Sequence, residues 1–296
     1  MNVENVVIIG AGPAGIATRI QLKRYGIDPI ILEKNKIGGL LRNANFVENY
    51  PGFPSGISGL NLVTLFEKQL REESIKVLFG EVISLDFEEG IFLVETLKRI
   101  FYSRAVVVAS GTKPKKFTDF EIPEKVSERI FYEIYPILRV KGKKVIIVGA
   151  GDAAFDYALN LEKNNEVIIL NKGEAVKCLP LLWERAKKAP RIDYYRHTKI
   201  FKIISDSPNR LLLECISPEG ISKFYAHYVI FAIGREPQLD FLSERLKENA
   251  QELENRGLLY FVGDVKNGFF RQTAVAVGDG IMAAMKIYRK LKEVVP

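Results

Sequence analysis

Val6-Val7-Ile8-Ile9-Gly10-Ala11-Gly12-Pro13-Ala14-Gly15 is the stretch that decides the fold. Four consecutive β-branched residues read as a buried strand, and the run from Ile16 to Tyr25 reads as a helix that Gly26 stops. Between them lies GxGxxG. A second apolar strand, Pro29 to Leu32, follows, and Glu33 sits at its end, 18 residues after Gly15. Strand, glycine turn, helix, strand and acid stand in the register of a complete βαβ unit. The glycines let the backbone turn sharply and approach a pyrophosphate, the helix N-terminus offers amides and positive dipole, and Glu33 can accept from ribose hydroxyls. The expected dinucleotide ligands are therefore Gly10, Gly12, Pro13, Ala14 and Gly15, with Glu33 and Lys34 at the ribose end.

A second copy follows. Lys143-Lys144 leads into Val145 to Val148, then Gly149-Ala150-Gly151-Asp152-Ala153-Ala154 and a helix through Glu162. GxGxxA is an accepted variant of the same turn. The next strand, Val167 to Leu170, ends in Asn171-Lys172 and not in an acid. The second site is expected at Gly149, Gly151, Asp152, Ala153, Ala154, Asn171 and Lys172, with Lys172 able to meet a 2′-phosphate that no carboxylate repels. Two loops of different character point to a flavoprotein that takes hydride from a nicotinamide. Between the loops, Ser58 to Glu73 reads as an amphipathic helix, followed by short strands at Lys76 to Phe79, Val82 to Phe87 and Ile91 to Glu95, then the apolar run Ala105 to Ala109, which closes on Ser110-Gly111-Thr112. The second half repeats the plan, ending with Val229 to Ala232 and Ile233-Gly234-Arg235.

A chain of 296 residues has room for two domains, and 47% hydrophobic residues with no low-complexity tract argue against disorder. The longest apolar runs, such as Tyr228 to Ile233, fall far short of the roughly 18–20 residues a membrane span needs. Met1 to Glu4 carry no basic leader, so a cytoplasmic protein with no membrane or nucleic-acid partner is expected. Cys178 and Cys215 lie 37 positions apart, which excludes a local CxxC pair, and His197 and His227 have no partners at metal spacing. No metal is expected. The net charge of +7 is uneven: residues 113–237 hold 22 Lys plus Arg against 16 Asp plus Glu, whereas the remainder holds 21 against 20. Lys172, Lys177, Arg185, Lys187 and Lys188 suit nucleotide phosphates. Lys113, Lys115, Lys116, Lys141, Lys143 and Lys144 suit either a solvated surface or an acidic electron-carrier protein.

Further motifs are Gly38-Gly39-Leu40, Glu48-Asn49-Tyr50-Pro51-Gly52, Ala109-Ser110-Gly111, Ala232-Ile233-Gly234, Gly263-Asp264-Val265, Arg271-Gln272 and Gly278-Asp279-Gly280. In this order they resemble the low-molecular-weight thioredoxin reductases, class II pyridine nucleotide-disulfide oxidoreductases, over nearly the whole chain. The resemblance implies an α/β fold of two Rossmann-like FAD/NAD(P)-binding domains, each a three-layer ββα arrangement. An NAD(P)H domain, 116–237, would be inserted in a discontinuous FAD domain, 1–115 and 238–296. It adds Gly39, Leu40, Asn49, Val82, Ala109, Gly111, Gly263, Asp264, Arg271, Gln272 and Thr273 to the FAD residues, and Ile233 and Gly234 to the NAD(P)H residues. Lys172 without an opposing carboxylate favours NADPH over NADH, and the resemblance implies a homodimer and an inserted domain that rotates about linkers near Lys113 to Phe117 and Arg235 to Leu239.

The chain departs from the resemblance after the second strand of its second half, where Asn171-Lys172-Gly173 stands in place of the His-Arg-Arg of NADPH-dependent members, and again ahead of the second glycine loop. The CxxC pair of that family falls on Tyr132 and Tyr135, and Pro136 takes the place of the acid after it. Disulfide exchange needs a thiolate and a second sulfur, and tyrosine supplies neither. Tyr132 and Tyr135 either pack their loop or face the flavin. The function expected is an FAD-dependent NAD(P)H oxidoreductase that reduces a non-thiol acceptor: ferredoxin, flavodoxin, a quinone or dioxygen. The alternatives are a disulfide reductase whose substrate meets the flavin directly, and a flavin-binding redox module without turnover.

Overall fold

The computed structural model describes residues 3–294; Met1, Asn2, Val295 and Pro296, which the sequence reading assigns to the first domain, lie outside the described residues. The chain forms two compact units. The first comprises residues up to Arg42, Val47–Lys113 and Glu236 onward, and the second comprises Asn43–Phe46 and Pro114–Arg235. The second is entered through the short strand Thr112–Pro114 and left through Arg235–Pro237, and these two strands pair with each other.

The first unit is built on a seven-stranded sheet. Val3–Ile9 pairs in parallel with Ile30–Glu33 on one side and with Ile100–Val108 on the other. Ile100–Val108 continues the sheet in two ways, antiparallel to Ile91–Thr96 and parallel to Leu259–Phe261. Val6, Ile8 and Val107 point to one face, where Ala14, Ile16, Leu22, Ala284 and Ile287 of the Pro13–Arg24 and Thr273–Val294 helices cover them. Val7, Val106 and Val108 point to the other, against Phe92, Leu246 and Leu253. Both faces of these strands are covered, which is why they are apolar without alternation. The Pro13–Arg24 and Thr273–Val294 helices touch closely at Gly280, where a Cβ would stand 2.2 Å from the Ala14 carbonyl oxygen, and the Thr18 hydroxyl donates to the Ala14 and Gly280 carbonyls.

The second unit repeats the plan. Its parallel sheet runs Ile192–Tyr195, Glu166–Leu170, Lys144–Val148, Tyr228–Phe231, Ile130–Phe131. The helices Asp152–Leu161 and Pro180–Lys188 cover one face through Phe155, Ala158, Leu161 and Ala186. A three-stranded antiparallel sheet, Lys199–Ser207, Arg210–Ser217 and Gly220–Ala226, covers the other through Ile200, Ile203, Leu211, Leu213 and Cys215. Helices on one face and an antiparallel sheet on the other give the second unit the three-layer α/β arrangement expected, whereas in the first unit the antiparallel strands continue the main sheet and Leu246 and Leu253 of the helix Glu244–Asn255 help to cover its second face.

Candidate functional site

In the first unit the sheet's apolar centre delivers Gly10 to the end of its strand at φ +106, a conformation that side chains disfavour, and a Cβ there would lie 2.4 Å from the Ala109 carbonyl oxygen. A Cβ at Gly12 would instead meet nothing within 4 Å, so the space above the loop is open. The Pro13–Arg24 helix starts with proline at its first position and has no side-chain cap, while the Ile16 amide is the first to bond back, to Gly12. Its leading amides therefore face that open space, an arrangement suited to a phosphate. Glu33 is buried at the end of its strand, and its carboxylate accepts from the Ala11 amide at 2.8 Å and the Asn35 amide at 2.9 Å. These bonds fix the carboxylate beside the loop and leave lone pairs for hydroxyl donors. Lys34 is exposed beside it.

Other predicted residues gather at the same place. The Gly38 amide donates to the Ala11 carbonyl, and a Cβ on Gly39 would touch the Gly12 Cα at 3.4 Å. Leu40 follows in the Gly39–Asn43 turn. Gly263 abuts Ala14, and its amide is held by the Asp279 carboxylate at 3.0 Å, which also accepts from Asn267 and so shapes the turn that carries Asp264. The Asn49 amide group donates to the Gln272 side chain at 2.9 Å, and the Gln272 carbonyl accepts the first-turn amide of Ala276 in the helix that begins at Thr273. The Nε of Arg271 is buried and lacks any hydrogen-bond partner, an orphan donor within this cluster. Ala109 is buried at the strand end, and the Gly111 carbonyl accepts from Gln238. Val82 stands apart: its side chain packs with Leu85 and Phe92 in the core, so only its main chain is available to a ligand. An uncapped helix, an open cradle, a fixed carboxylate and an orphan Arg271 Nε fit a dinucleotide such as FAD.

The second unit reproduces the turn. Gly149 has φ +136, and its Cβ would lie 2.3 Å from the Ala232 carbonyl oxygen, while above Gly151 nothing stands within 4 Å. Ala154 is fully buried where the first loop has Gly15, and Ala153 is exposed next to it. Asp152 accepts the Leu179 amide at 2.7 Å, which turns its carboxylate to the following loop. Asn171, buried, donates to the Ala175 carbonyl and the Tyr194 hydroxyl and accepts from the Gly173 amide, so it holds the turn on which Lys172 is exposed. The Lys177 amide bonds the Ala150 carbonyl at 2.8 Å, which sets a second lysine beside the glycine loop. Glu174, the acid of that turn, is paired with His197 and Arg196, and the His197 hydrogen bond chiefly holds its carboxyl below the usual range. Ile233 is half-buried, and Gly234 accepts from the Lys115 amide. The buried Asn43 accepts the Tyr135 amide and donates to Glu133, which pairs with Arg235 at 2.9 Å; the sequence gives no sign of this network.

Of the two tyrosines at the CxxC positions, Tyr132 packs in its own unit, and the Tyr135 amide is held by Asn43. The Tyr132 hydroxyl accepts the Phe117 amide, its ring packs on Phe231, and the Lys116 ammonium lies 4.7 Å above it. Cys215 is fully buried on the antiparallel-sheet side of the parallel sheet, and burial pushes its thiol up to about 12. Cys178 packs on the helical side of that sheet, and burial, aided by Asp152, raises its thiol also. The two are unbridged. Among the described residues no group of three or more His, Cys, Asp or Glu side chains could hold a metal ion, and no helix is long and apolar enough to cross a membrane.

The sequence model of the pyridine nucleotide-disulphide oxidoreductases matches residues 4–280. The thioredoxin reductase of Chlamydia trachomatis is 28% identical over 99% of this chain and 100% of its own. The crystal structure of T. acidophilum thioredoxin reductase is 27% identical, covers 97% of this chain and 98% of that one, and superposes with a TM-score of 0.85. A bacillithiol disulfide reductase from Staphylococcus aureus shares the fold at 20% identity, covering 100% of both chains, with a TM-score of 0.75.

Proposed function

The chain belongs to the pyridine nucleotide-disulphide oxidoreductase family, and from that premise we propose that it is a thioredoxin reductase-like flavoenzyme that carries electrons from NADPH through FAD to a non-thiol acceptor. The single observation behind the last clause is the placement of sulfur: tyrosines stand at 132 and 135, and the chain's two cysteines pack on opposite faces of one sheet, where burial pushes both thiols up. No relay can form from them without unfolding the unit.

FAD is assigned to the first unit. Gly10, Gly12 and Ala14 with the uncapped helix would take the pyrophosphate, Glu33 the adenosine ribose, and Gly39, Asn49, Asp264 and Gln272 the remainder. When bound, FAD supplies a carrier that accepts hydride from a nicotinamide and passes electrons onward. The Thr273–Val294 helix directs the positive end of its dipole from the Arg271-Gln272 end, where negative charge is stabilised. NADPH is assigned to the second unit, with phosphates over Gly151 and the 2′-phosphate met by Lys172 and Lys177. Of the other lysines considered for an acidic carrier, Lys113 is paired with Glu236 and Asp240 and Lys144 with Glu166, so the case for such a partner rests on Lys115, Lys116, Lys141 and Lys143. The exposed apolar side chains Phe269, Phe270, Met282 and Met285 of the first unit support a homodimer.

A second reading, reduction of a small disulfide directly at the flavin, draws on the fold shared with bacillithiol disulfide reductases. Anaerobic mixing of the yellow protein with NADPH, then NADH, followed by a panel of quinone, flavodoxin, ferredoxin, dioxygen and low-molecular-weight disulfides separates the readings. Fast flavin reduction with turnover of a non-thiol acceptor supports the first. Turnover only with the disulfide supports the second, and no flavin reduction leaves a binding module.

A further inference from the structure

The second unit has a cleft at the end of its sheet opposite the glycine loop. The parallel strands begin at Lys144, Glu166, Ile192 and Tyr228, and the residues at or just before those starts, with Arg210 and Tyr225 from the antiparallel sheet, enclose about 480 Å³. Gly149 to Gly151 stand beyond the other end of the Lys144–Val148 strand, roughly 15 Å away at about 3.3 Å per residue. The cleft is a site separate from the loop expected to hold NADPH.

Its walls are cationic. Lys143, Lys144, Arg191 and Arg210 line it against a single carboxylate, Glu166, which Lys144 engages at 3.1 Å. Arg210 pairs with Asp206 and lies 4.7 Å from the centre of the Tyr225 ring. Lys143 and Arg191 have no carboxylate partner among the described residues. His227 accepts the Lys144 amide at Nδ1, 3.0 Å away, which leaves Nε2 as the donor of its neutral form. Burial, then the charge of Lys143, with Arg129 and Arg210 adding, holds the imidazole below its ordinary value. The rim is fixed: Asn165, 3% exposed, accepts the Lys143 amide and donates to the Val140 and Leu161 carbonyls, and the Gly142 amide bonds Asn164.

We propose that this cleft binds a phosphorylated small molecule, with Lys143 and Arg191 on the phosphate, the His227 Nε2–H as a further donor, and the Tyr225 ring against the rest of the ligand. Like charges gathered in a concave, fixed site repel one another until a polyanion compensates them. A guanidinium beside an ammonium suits phosphate oxygens, the first by paired donors and the second as a point charge. The volume falls within the roughly 300–1,000 Å³ of small-molecule sites, which favours a compact ligand over a protein or nucleic-acid surface.

The chain's two histidines make the test direct, since His227 and His197 give one ring signal each. Intact flavin-loaded protein with ¹³C-labelled histidine is titrated with inorganic pyrophosphate and, separately, with AMP, at constant ionic strength. Saturation is expected to raise the His227 titration midpoint by about one pH unit and leave His197 unmoved. Replacing Lys143 and Arg191 with alanine should weaken the affinity read at His227 tenfold or more, with the melting temperature unchanged and Lys202→Ala, outside the cleft, without effect. Tighter binding of AMP identifies a nucleoside phosphate, and tighter binding of pyrophosphate an inorganic or non-nucleoside polyphosphate. Silence at His227 up to about 10 mM of both, weaker than any useful affinity, or equal affinity in the double variant, overturns the proposal.

Discussion

A methyl group at position 12 meets nothing within 4 Å, whereas one at position 10 meets the Ala109 carbonyl at 2.4 Å from a backbone already at φ +106. The two substitutions separate folding from binding. Gly12→Ala is expected to melt within a few degrees of the parent yet purify with at least tenfold weaker flavin retention, because its methyl fills the pyrophosphate's place; Gly10→Ala is expected to lose both. Absorbance of retained flavin and a thermal melt check this. Lys172 and Lys177 carry another expectation: alanine at both should raise KM for NADPH roughly tenfold and that for NADH less than twofold, since only the former has a 2′-phosphate to lose about 1.4 kcal/mol of contact. Cys178→Ser with Cys215→Ala should leave turnover within a few-fold; alanine is used at 215 because a hydroxyl in that core would go unbonded. Asp156 is predicted to shape the pH profile. It accepts the Asn45 amide at 2.8 Å, and burial raises its carboxyl to about 6. The folded value lies above the unfolded one near 3.9, so the folded state binds the extra proton and stability falls as pH rises from about 4 to 6. Denaturant midpoints of Asp156→Asn should lack that component of the fall, and a parent–variant difference independent of pH would contradict the assignment.

Elements differed in how plainly the sequence announced them, and coverage explains the difference. Val6 to Ile9 and Val145 to Val148 are buried on both faces and therefore read as unbroken apolar runs. Ile100–Val108 is longer than the expected Ala105 to Ala109 because its first half, with Tyr102 and Arg104 turned outward, lies in the antiparallel part of the sheet. The last helix runs Thr273–Val294 straight through Gly278 and Gly280, which as sequence look like breakers. Gly280 is instead the contact point of two helices. Gly280→Ala should cost about 1–3 kcal/mol by thrusting a methyl at the Ala14 carbonyl, and because the same helix carries Asp279 and begins beside Gln272, flavin occupancy should fall with it. Glu33 was legible because it sits at a fixed offset from a glycine turn. Asn43, Glu133 and Arg235 were not: their bonds span 90 and 102 positions, and single polar residues at that separation leave no local pattern.

At the scale of the whole chain, the second unit is an insertion whose ends leave as a pair of adjacent strands, 112–114 and 235–237. Both of its cores draw only on residues from 117 to 233. We therefore expect residues 114–235 alone to melt cooperatively and to bind NADPH weakly without flavin; a fragment lacking a cooperative transition would show that Asn43–Phe46 are indispensable to it. The same arrangement imposes an order on biosynthesis. The strand Ile100–Val108 finishes its parallel pairing only with Leu259–Phe261, so its edge waits while the ribosome makes everything between them. At about 5–20 residues per second that delay is on the order of ten seconds, long enough for the inserted unit to fold on the nascent chain while the interrupted sheet still exposes a bare apolar edge to chaperones and to aggregation.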